Sequence, residues 1–323
     1  WLTLAELDED AAEFDAQVWT TAEIDRFCTS SNWSLPAARN VMPHARPFIT
    51  RSKHGYVTMM CMPVAGGLRA AVPLEIGWGL AAPFAGPNPA LLVQTLAQMW
   101  SRKHEEIDAL ILSGIPLRSQ WMSQIMLEFH PRYRIGVGDN CVRRIASLEG
   151  GVDGFLSRRS GRFRRNLRRA IRRGETVGLT YSAPDAQADS QDIFERIVRI
   201  ESKSWKGQSG EGFDSGPGSE FYRDIIGRLA GRAGLRILFA QKEGEDIGFV
   251  FGAVTQGQYR GLQISFARGL EHLEVGNLLQ WEMINHLANE EVISYDLGTD
   301  MPYKQRWAEQ SFETHMVAVM PHH

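Results

Sequence analysis

The sequence is poor in the features that mark specialised classes of protein. Its three cysteines, Cys28, Cys61 and Cys141, stand far apart, odd in number and without Cys-x-x-Cys spacing. That excludes a disulfide framework and a thiolate metal site, and a reducing cytoplasm is the compartment that fits. No run of about 18 apolar residues occurs; the nearest stretches, such as GWGLAAPFAGP, are broken by Gly and Pro, so no membrane span is expected. Charge of one sign is lacking too. The 35 basic against 38 acidic residues leave a net charge of −3, too little for a global attraction to nucleic acid or anionic membrane, so any basic patch must be local. The histidines, among them His44, His54, His104, His130, His272, His286 and His315, show no HxxH or HExxH spacing, and no metal is expected. Trp1 opens the chain without Met or a basic-then-apolar leader, which reads as a trimmed chain, with His322 and His323 as remnants of a tag.

What is present is core-forming material. With 43% hydrophobic residues in 323, the chain exceeds the usual single-domain size, and two similar domains are expected, residues 1–150 and 151–323. From Asp8 to Phe27 the pattern is helical, with Thr20 or Thr21 as the cap of a second short helix. Residues 46–74 switch to short apolar runs separated by KHG and AGG turn signals, a strand-turn-strand reading. Pro87 to Met99 reads as a helix, IDALILSGI as a buried strand, Gln120 to Phe129 as another helix, and Cys141 to Ser147 as an edge strand. The first half is therefore mixed α/β.

Between residues 150 and 176 the composition changes sharply. Nine arginines lie between Arg158 and Arg173, with no acidic residue among them. Read as a helix from about Ser160, the segment puts Phe163, Leu167, Ala170 and Ile171 on one face and Arg162, Arg165, Arg169 and Arg172 on another. Nine guanidinium groups need partners: carboxylates from segments such as AELDEDAAEFDAQ or KHEEID, the phosphates of a coenzyme, or a nucleic-acid backbone. Interleaved aromatics would favour RNA, and only Phe163 is present.

The second half is more regular. GLTYS reads as a strand, DIFERIVRIESKSW as a helix, GQSGEGFDSGPGS as a loop, and Ser219 as the cap of a helix to Leu229. LRILFAQ, IGFVFGAVT and YRGLQISFA form an antiparallel meander, followed by a helix from Gly276 to Ala288, the buried strand VISYDLG and a closing strand FETHMVAVM. A strand feeding a helix whose first turn has free N–H groups makes a site for phosphates. Gly276 leaves room for a pyrophosphate, Asn277 can cap, and Leu278, Leu279 and Met283 can anchor the helix to the sheet. The bland alternative is a glycine at an ordinary loop-helix junction.

Four ordered segments, SRRSGRFRRNLRRAIRR, SWKGQSG, VGNLLQWEMI and YDLGTDMPYKQRW, resemble those of the GNAT-fold acyltransferases of the CelD/BcsL (BioF2-like) group, relatives of the FemAB peptidyltransferases, over about Phe155 to Trp307. The resemblance implies two tandem GNAT-like α/β domains with mixed α+β sheets, the second carrying the donor-binding helix. The wider superfamily's acetyl-CoA loop, Q/R-x-x-G-x-G/A, is reduced here to ARGLEHLEVGN. The implied chemistry is transfer of an acyl group to an amine, from acetyl-CoA or a longer acyl-CoA, or, in the FemAB branch, from aminoacyl-tRNA. Such a transfer needs no metal.

The acceptor amine must lose a proton, the carbonyl oxygen must be polarised, and the leaving thiolate takes a proton. Asp296 ends a strand, where open α/β sheets place reactive groups, and can receive a proton through water. Tyr303 can protonate the thiolate and Lys304 can bind phosphate or polarise the carbonyl. Against this, Asp296 can be a cap, Tyr303 and Trp307 core, and Lys304 the partner of Asp300. Glu201 is read as sharing a face with Trp205 and as a candidate base, or else as a solvated charge beside a core Trp205. Trp205, Lys206 and Trp307 are candidates for the acceptor wall. Arg268, Gly269, Gly276, Asn277 and Leu278 are the donor-binding candidates. The leading reading is an acyl-CoA-dependent N-acyltransferase acting on a small molecule, peptide or saccharide amine. An aminoacyl-tRNA-dependent transferase and a catalytically silent GNAT-fold binding protein are the alternatives.

Overall fold

A computed structural model describes residues 1–185, 188–209, 212–213 and 215–322. Residues 210, 211 and 214 of the expected glycine-rich loop, and the terminal His323 of the expected tag remnant, lie outside these. The chain forms two units, Trp1–Cys141 with Glu313–His323, and Val142–Phe312.

In the first unit four helices precede the sheet: α1 (Leu4–Glu9), α2 (Ala11–Thr20), α3 (Arg26–Thr29) and α4 (Ser31–Asn40). The N-caps include Thr3, which completes a capping box with Glu6, and Asp25, which accepts from the Cys28 N–H; neither Thr20 nor Thr21 caps the start of α3, since Thr20 ends α2 and Thr21 is its C-cap. The strands are β1 (Arg46–Ser52), β2 (Gly55–Pro63), β3 (Arg69–Pro73), the short β4 (Phe84–Ala85) and β5 (Ala109–Ile115). Helix α5 (Pro89–Ser101), capped by Asn88, connects β4 to β5, and α6 (Gln120–Phe129) follows β5. β1, β2 and β3 are antiparallel neighbours, β3 runs parallel to β5, and β5 pairs antiparallel with the later part of β12 (Gln310–Pro321).

The chain divides at 141/142 rather than after 150, and its end returns to the first unit. The reason is in β12: Val317 and Val319 pair with Leu112 and Leu110 and are fully buried in the first core. Alternate residues of one strand thus pair with a strand about two hundred positions earlier and complete the first core.

The second unit starts within β6 (Tyr133–Ser147), about twice the expected length, and continues with α7 (Gly151–Ser157) and α8 (Gly161–Thr176). Next come β7 (Thr180–Ser182), α9 (Ser190–Glu201), the short α10 (Trp205–Ser209) and α11 (Gly216–Gly231). The meander β8 (Leu235–Lys242), β9 (Glu245–Thr255) and β10 (Gln258–Phe266) is followed by α12 (Val275–Ala288), β11 (Ser294–Thr299) and a 3₁₀ turn at Lys304–Arg306. The strand order within the unit is β6-β11-β10-β9-β8-β7, with β11 parallel to β10 and antiparallel to β6. α11 starts at Gly216, three residues before the expected Ser219 cap; Pro217 occupies its first turn, where a missing N–H leaves nothing unpaired, and Ser219 is buried within it. Both units therefore repeat one order: antiparallel meander, helix, parallel strand. Among the described residues no helix is long and apolar enough to cross a membrane.

Candidate active site

In the second unit β10 and β11 stay together for only three residue pairs, ending at Arg260↔Asp296. Beyond that point a bulge between Gly261 and Gln263 turns β10 with β9, and the two parallel strands part. Gly261 is required there, because a Cβ would come 2.9 Å from the Tyr295 ring. Gly298, at φ +80°, makes the opposite edge, and the Lys304 ammonium lies 3.6 Å from where its Cβ would be. The split in the sheet thus opens beside Lys304.

The charges at its base are fixed by strand alternation. Arg143 of β6 and Arg260 of β10 both pair with Asp296, the latter at 2.7 Å, while the Gly298 N–H donates to the other Asp296 oxygen at 2.8 Å. All three side chains are largely buried. Both carboxylate oxygens of Asp296 are thus engaged, one by the two guanidinium groups and the other by the Gly298 N–H. Lys304 donates to the Thr299 carbonyl at 2.8 Å. Asp300, offered by the sequence as its partner, instead binds Arg144 through two hydrogen bonds of 2.9 and 3.0 Å. Burial pushes the Lys304 ammonium down to about 8; Arg260 adds to the fall, Asp296 opposes it and Lys206 adds again. Burial also raises the Tyr303 phenol, so it keeps its proton. On the far wall Lys206 reaches Gln263 at 3.4 Å, and Gln263 donates to the Tyr222 hydroxyl at 2.5 Å.

Next to this centre lies a cavity of about 600 Å³, walled by the α7–α8 junction (Arg158, Arg159), α8 (Arg162, Asn166), the start of α12 (Glu274, Asn277) and Gln305 to Glu309. Its three walls are the segments whose order the sequence made conspicuous. Arg158 and Arg159 hold Glu309, and Arg173 holds Glu274 at 2.8 Å, which neutralises the two acids of the wall. Arg159 is 6% exposed and its Nε–H has no partner. α12 begins with no side-chain cap, since Glu274 stands at the cap position in left-handed conformation, φ 57°. Its first N–H groups and the partial positive charge of its dipole are left for an anion. Asn277 therefore does not cap; it sits inside the first turn and faces the cavity. Gly276 serves packing, because its missing Cβ would lie 3.3 Å from the Phe266 ring on the sheet side. Leu278 is core, and Arg268 and Gly269 lie in the exposed loop before the helix, where the Arg268 N–H bonds to the Lys203 carbonyl.

The readings of Glu201 and Trp205 reverse. α9 stops at Glu201, so the two residues share no face: Trp205 opens α10 and is 52% exposed, while Glu201 is completely buried with neither carboxyl oxygen bonded. Trp307 is 2% exposed, edge-on to Phe163 and stacked with Phe155, so it is core that also forms part of the cavity wall. Arg143, Arg260, Gln263 and Tyr222 were not picked out from sequence. The signal was there for Arg260 and Gln263, polar groups within an otherwise apolar strand.

The first unit handles its own split differently. β3 and β5 pair only at Ala70↔Ala109 and Ala71↔Leu110, and then the chain's own residues 79–82 fill the gap. The Gly114 N–H donates to the Gly79 carbonyl at 3.2 Å and the Ser113 hydroxyl to the Ala81 carbonyl at 2.6 Å. The buried Glu75 carboxylate accepts the N–H groups of Trp78, Gly79, Leu80 and Ala81 at 2.5 to 3.3 Å, pinning the segment.

A meander, a helix with an open first turn and a parallel strand that splits away define a mixed α/β fold of the GNAT kind. Residues 161–305, within the second unit, match the family model described as an acetyltransferase (GNAT) domain. Among solved structures the chain is similar to FemX (10% identity, 94% of this chain and 95% of that one, TM-score 0.65). It is also similar to a conserved protein of unknown function from Bacteroides thetaiotaomicron (13%, 96% and 97%, TM-score 0.63). L-PGS from Bacillus licheniformis is a third (12%, 97% and 92%, TM-score 0.57). At these identities the likeness is one of fold. No curated protein matches the chain.

Proposed function

We propose that the protein is an N-acyltransferase of the CelD/BcsL kind, moving an acyl group from acyl-CoA to an amino group of a small molecule, peptide or saccharide. The observation that carries this reading is the cavity joining α8, the uncapped start of α12 and residues 305–309, set beside the split that Lys304 borders. In this reading the donor's phosphates meet the α12 N–H groups and Arg159 and Arg162, and its extended arm runs along the free edge of β10 beyond Gly261. The first unit, its split filled by residues 79–82, is left to structure and to the acceptor.

In the reaction the acceptor nitrogen attacks the thioester carbon, a C–N bond forms, and the C–S bond breaks. The Lys304 ammonium stabilises the oxygen that becomes negative, the Tyr303 phenol protonates the departing thiolate, and Glu201 accepts the amine's proton once the segment around α10 admits it. Asp296 holds Arg143 and Arg260 at the base of the site, and Trp205 and Lys206 line the acceptor side. Incubation with a panel of acyl-CoAs and amines, followed by thiol release, tests the reading. Release that depends on both substrates is expected; none with any acyl-CoA, together with no thermal stabilisation by any of them, contradicts it.

A further inference from the structure

The cavity takes one side of α8, with Arg162, Phe163, Asn166, Leu167 and Ala170, and it leaves most of that helix's charge without a task. Arg164, Arg165, Arg168, Arg169 and Arg172 are all exposed, none lines the cavity, and among the described residues none makes an ion pair. At 100° and 1.5 Å per residue they occupy one arc of about 140° and a length of about 12 Å. The opposite side, Leu167, Ala170 and Gly174, is buried. Like charges three and four residues apart repel and weaken the helix, so this strip opposes folding unless something outside the unit compensates it.

The character of the strip selects among polyanions. Stacking on unpaired bases needs aromatic side chains, and Phe163, the one aromatic on the helix, is packed against Phe155 and Trp307. Insertion into a bilayer needs a free apolar face, and the apolar face of α8 is spent on the core. What remains is a row of guanidinium groups spaced to meet regularly placed phosphates, with no group to read a base. A double helix offers several phosphates within 12 Å of its axis, about one per 1.7 Å.

We infer that the exposed arginine strip of α8 docks the second unit on the phosphodiester backbone of a double-helical nucleic acid, by charge and without base specificity. The test is fluorescence anisotropy with labelled 20-base-pair RNA and DNA duplexes across a salt series, against the matching single strands and vesicles of phosphatidylglycerol. Both duplexes should bind, with a log–log salt slope of about −4.5 for five phosphate contacts and a roughly 500-fold loss between 50 and 200 mM salt. Each single change, such as Arg168→Gln or Arg172→Gln, should make the slope shallower by about 1. These single variants keep the test valid if the variant with all five replaced fails to fold. Absence of duplex binding, a slope shallower than about −2, unchanged binding by the variants, or tighter binding to single strands or vesicles each overturns the inference. Acyl-CoA binding plays no part in these measurements, so they stand or fall apart from the catalytic reading.

Discussion

If the proposed mechanism holds, raising the pH through 8 should switch off acyl transfer, because the group proposed to stabilise the developing oxyanion is a lysine whose ammonium is held near that value. Deprotonation of the acceptor amine gives the rate a rising limb at lower pH; the falling limb belongs to Lys304. Above about pH 9 the rate should drop about tenfold per pH unit, as the protonated fraction does. Arg in place of Lys stays charged to beyond pH 12, so Lys304→Arg should lose the alkaline limb while turning over more slowly. Lys304→Met should cost roughly 10²–10³ in kcat, the loss seen when one preorganised donor is removed. Stability moves oppositely. The folded lysine binds its proton more weakly than the unfolded one, at about 8 against 10.5, so the unfolded state holds more protons in that window and stability rises with pH through it. For a sealed group the rise would be ~3 kcal/mol; Lys304 is only half-buried, and solvent screening reduces it to ~1 kcal/mol. Steady-state pH–rate profiles and urea midpoints at pH 7, 8, 9 and 10 measure both. An unaltered alkaline limb in Lys304→Arg, or full activity in Lys304→Met, would refute the reasoning.

Asp296→Asn leaves Arg143 and Arg260 buried without their shared counter-ion and should lower stability by ~3–5 kcal/mol, read as a shift of the urea midpoint. Glu201→Leu should do the reverse: it removes a buried carboxyl that has no partner, so the midpoint stays or rises, while turnover falls about 100-fold or more if Glu201 is the base. Glu75→Ala strands four N–H groups, of which those of Leu80 and Ala81 are buried, and should cost at least ~2 kcal/mol, with hydrogen exchange accelerated at residues 78–81.

Most elements were legible because each carries its own periodicity and punctuation. Gln120–Phe129 is a helix end to end as read, the three strands after Leu235 appear as a meander, and α8 starts on its Ser160 cap. What escaped was decided by contacts distant in sequence. Nothing local says that β12 leaves the second unit, since the pairing of Val317 with Leu112 is a long-range fact. The helical pattern of DIFERIVRIESKSW runs on past Glu201, and only the bridge between Ser204 and Ala267 stops it, which is why Glu201 and Trp205 exchanged burial. Lys304 was singled out through motif order. Its neighbours Arg260 and Gln263 belong to a strand whose alternation indicates a face but not what the face meets. Glu75 gave no sign at all: it lies near the end of the apolar run LRAAVPLEI, and nothing local says that four amides close on it.

Calorimetric titration with acetyl-CoA bears most directly on the donor site. One acetyl-CoA should bind per chain, in the second unit alone, and Arg162→Glu, which reverses a charge on the cavity wall, should weaken it about tenfold or more. No heat with acetyl-CoA or longer acyl-CoAs, two equivalents per chain, or affinity indifferent to Arg162→Glu would contradict it.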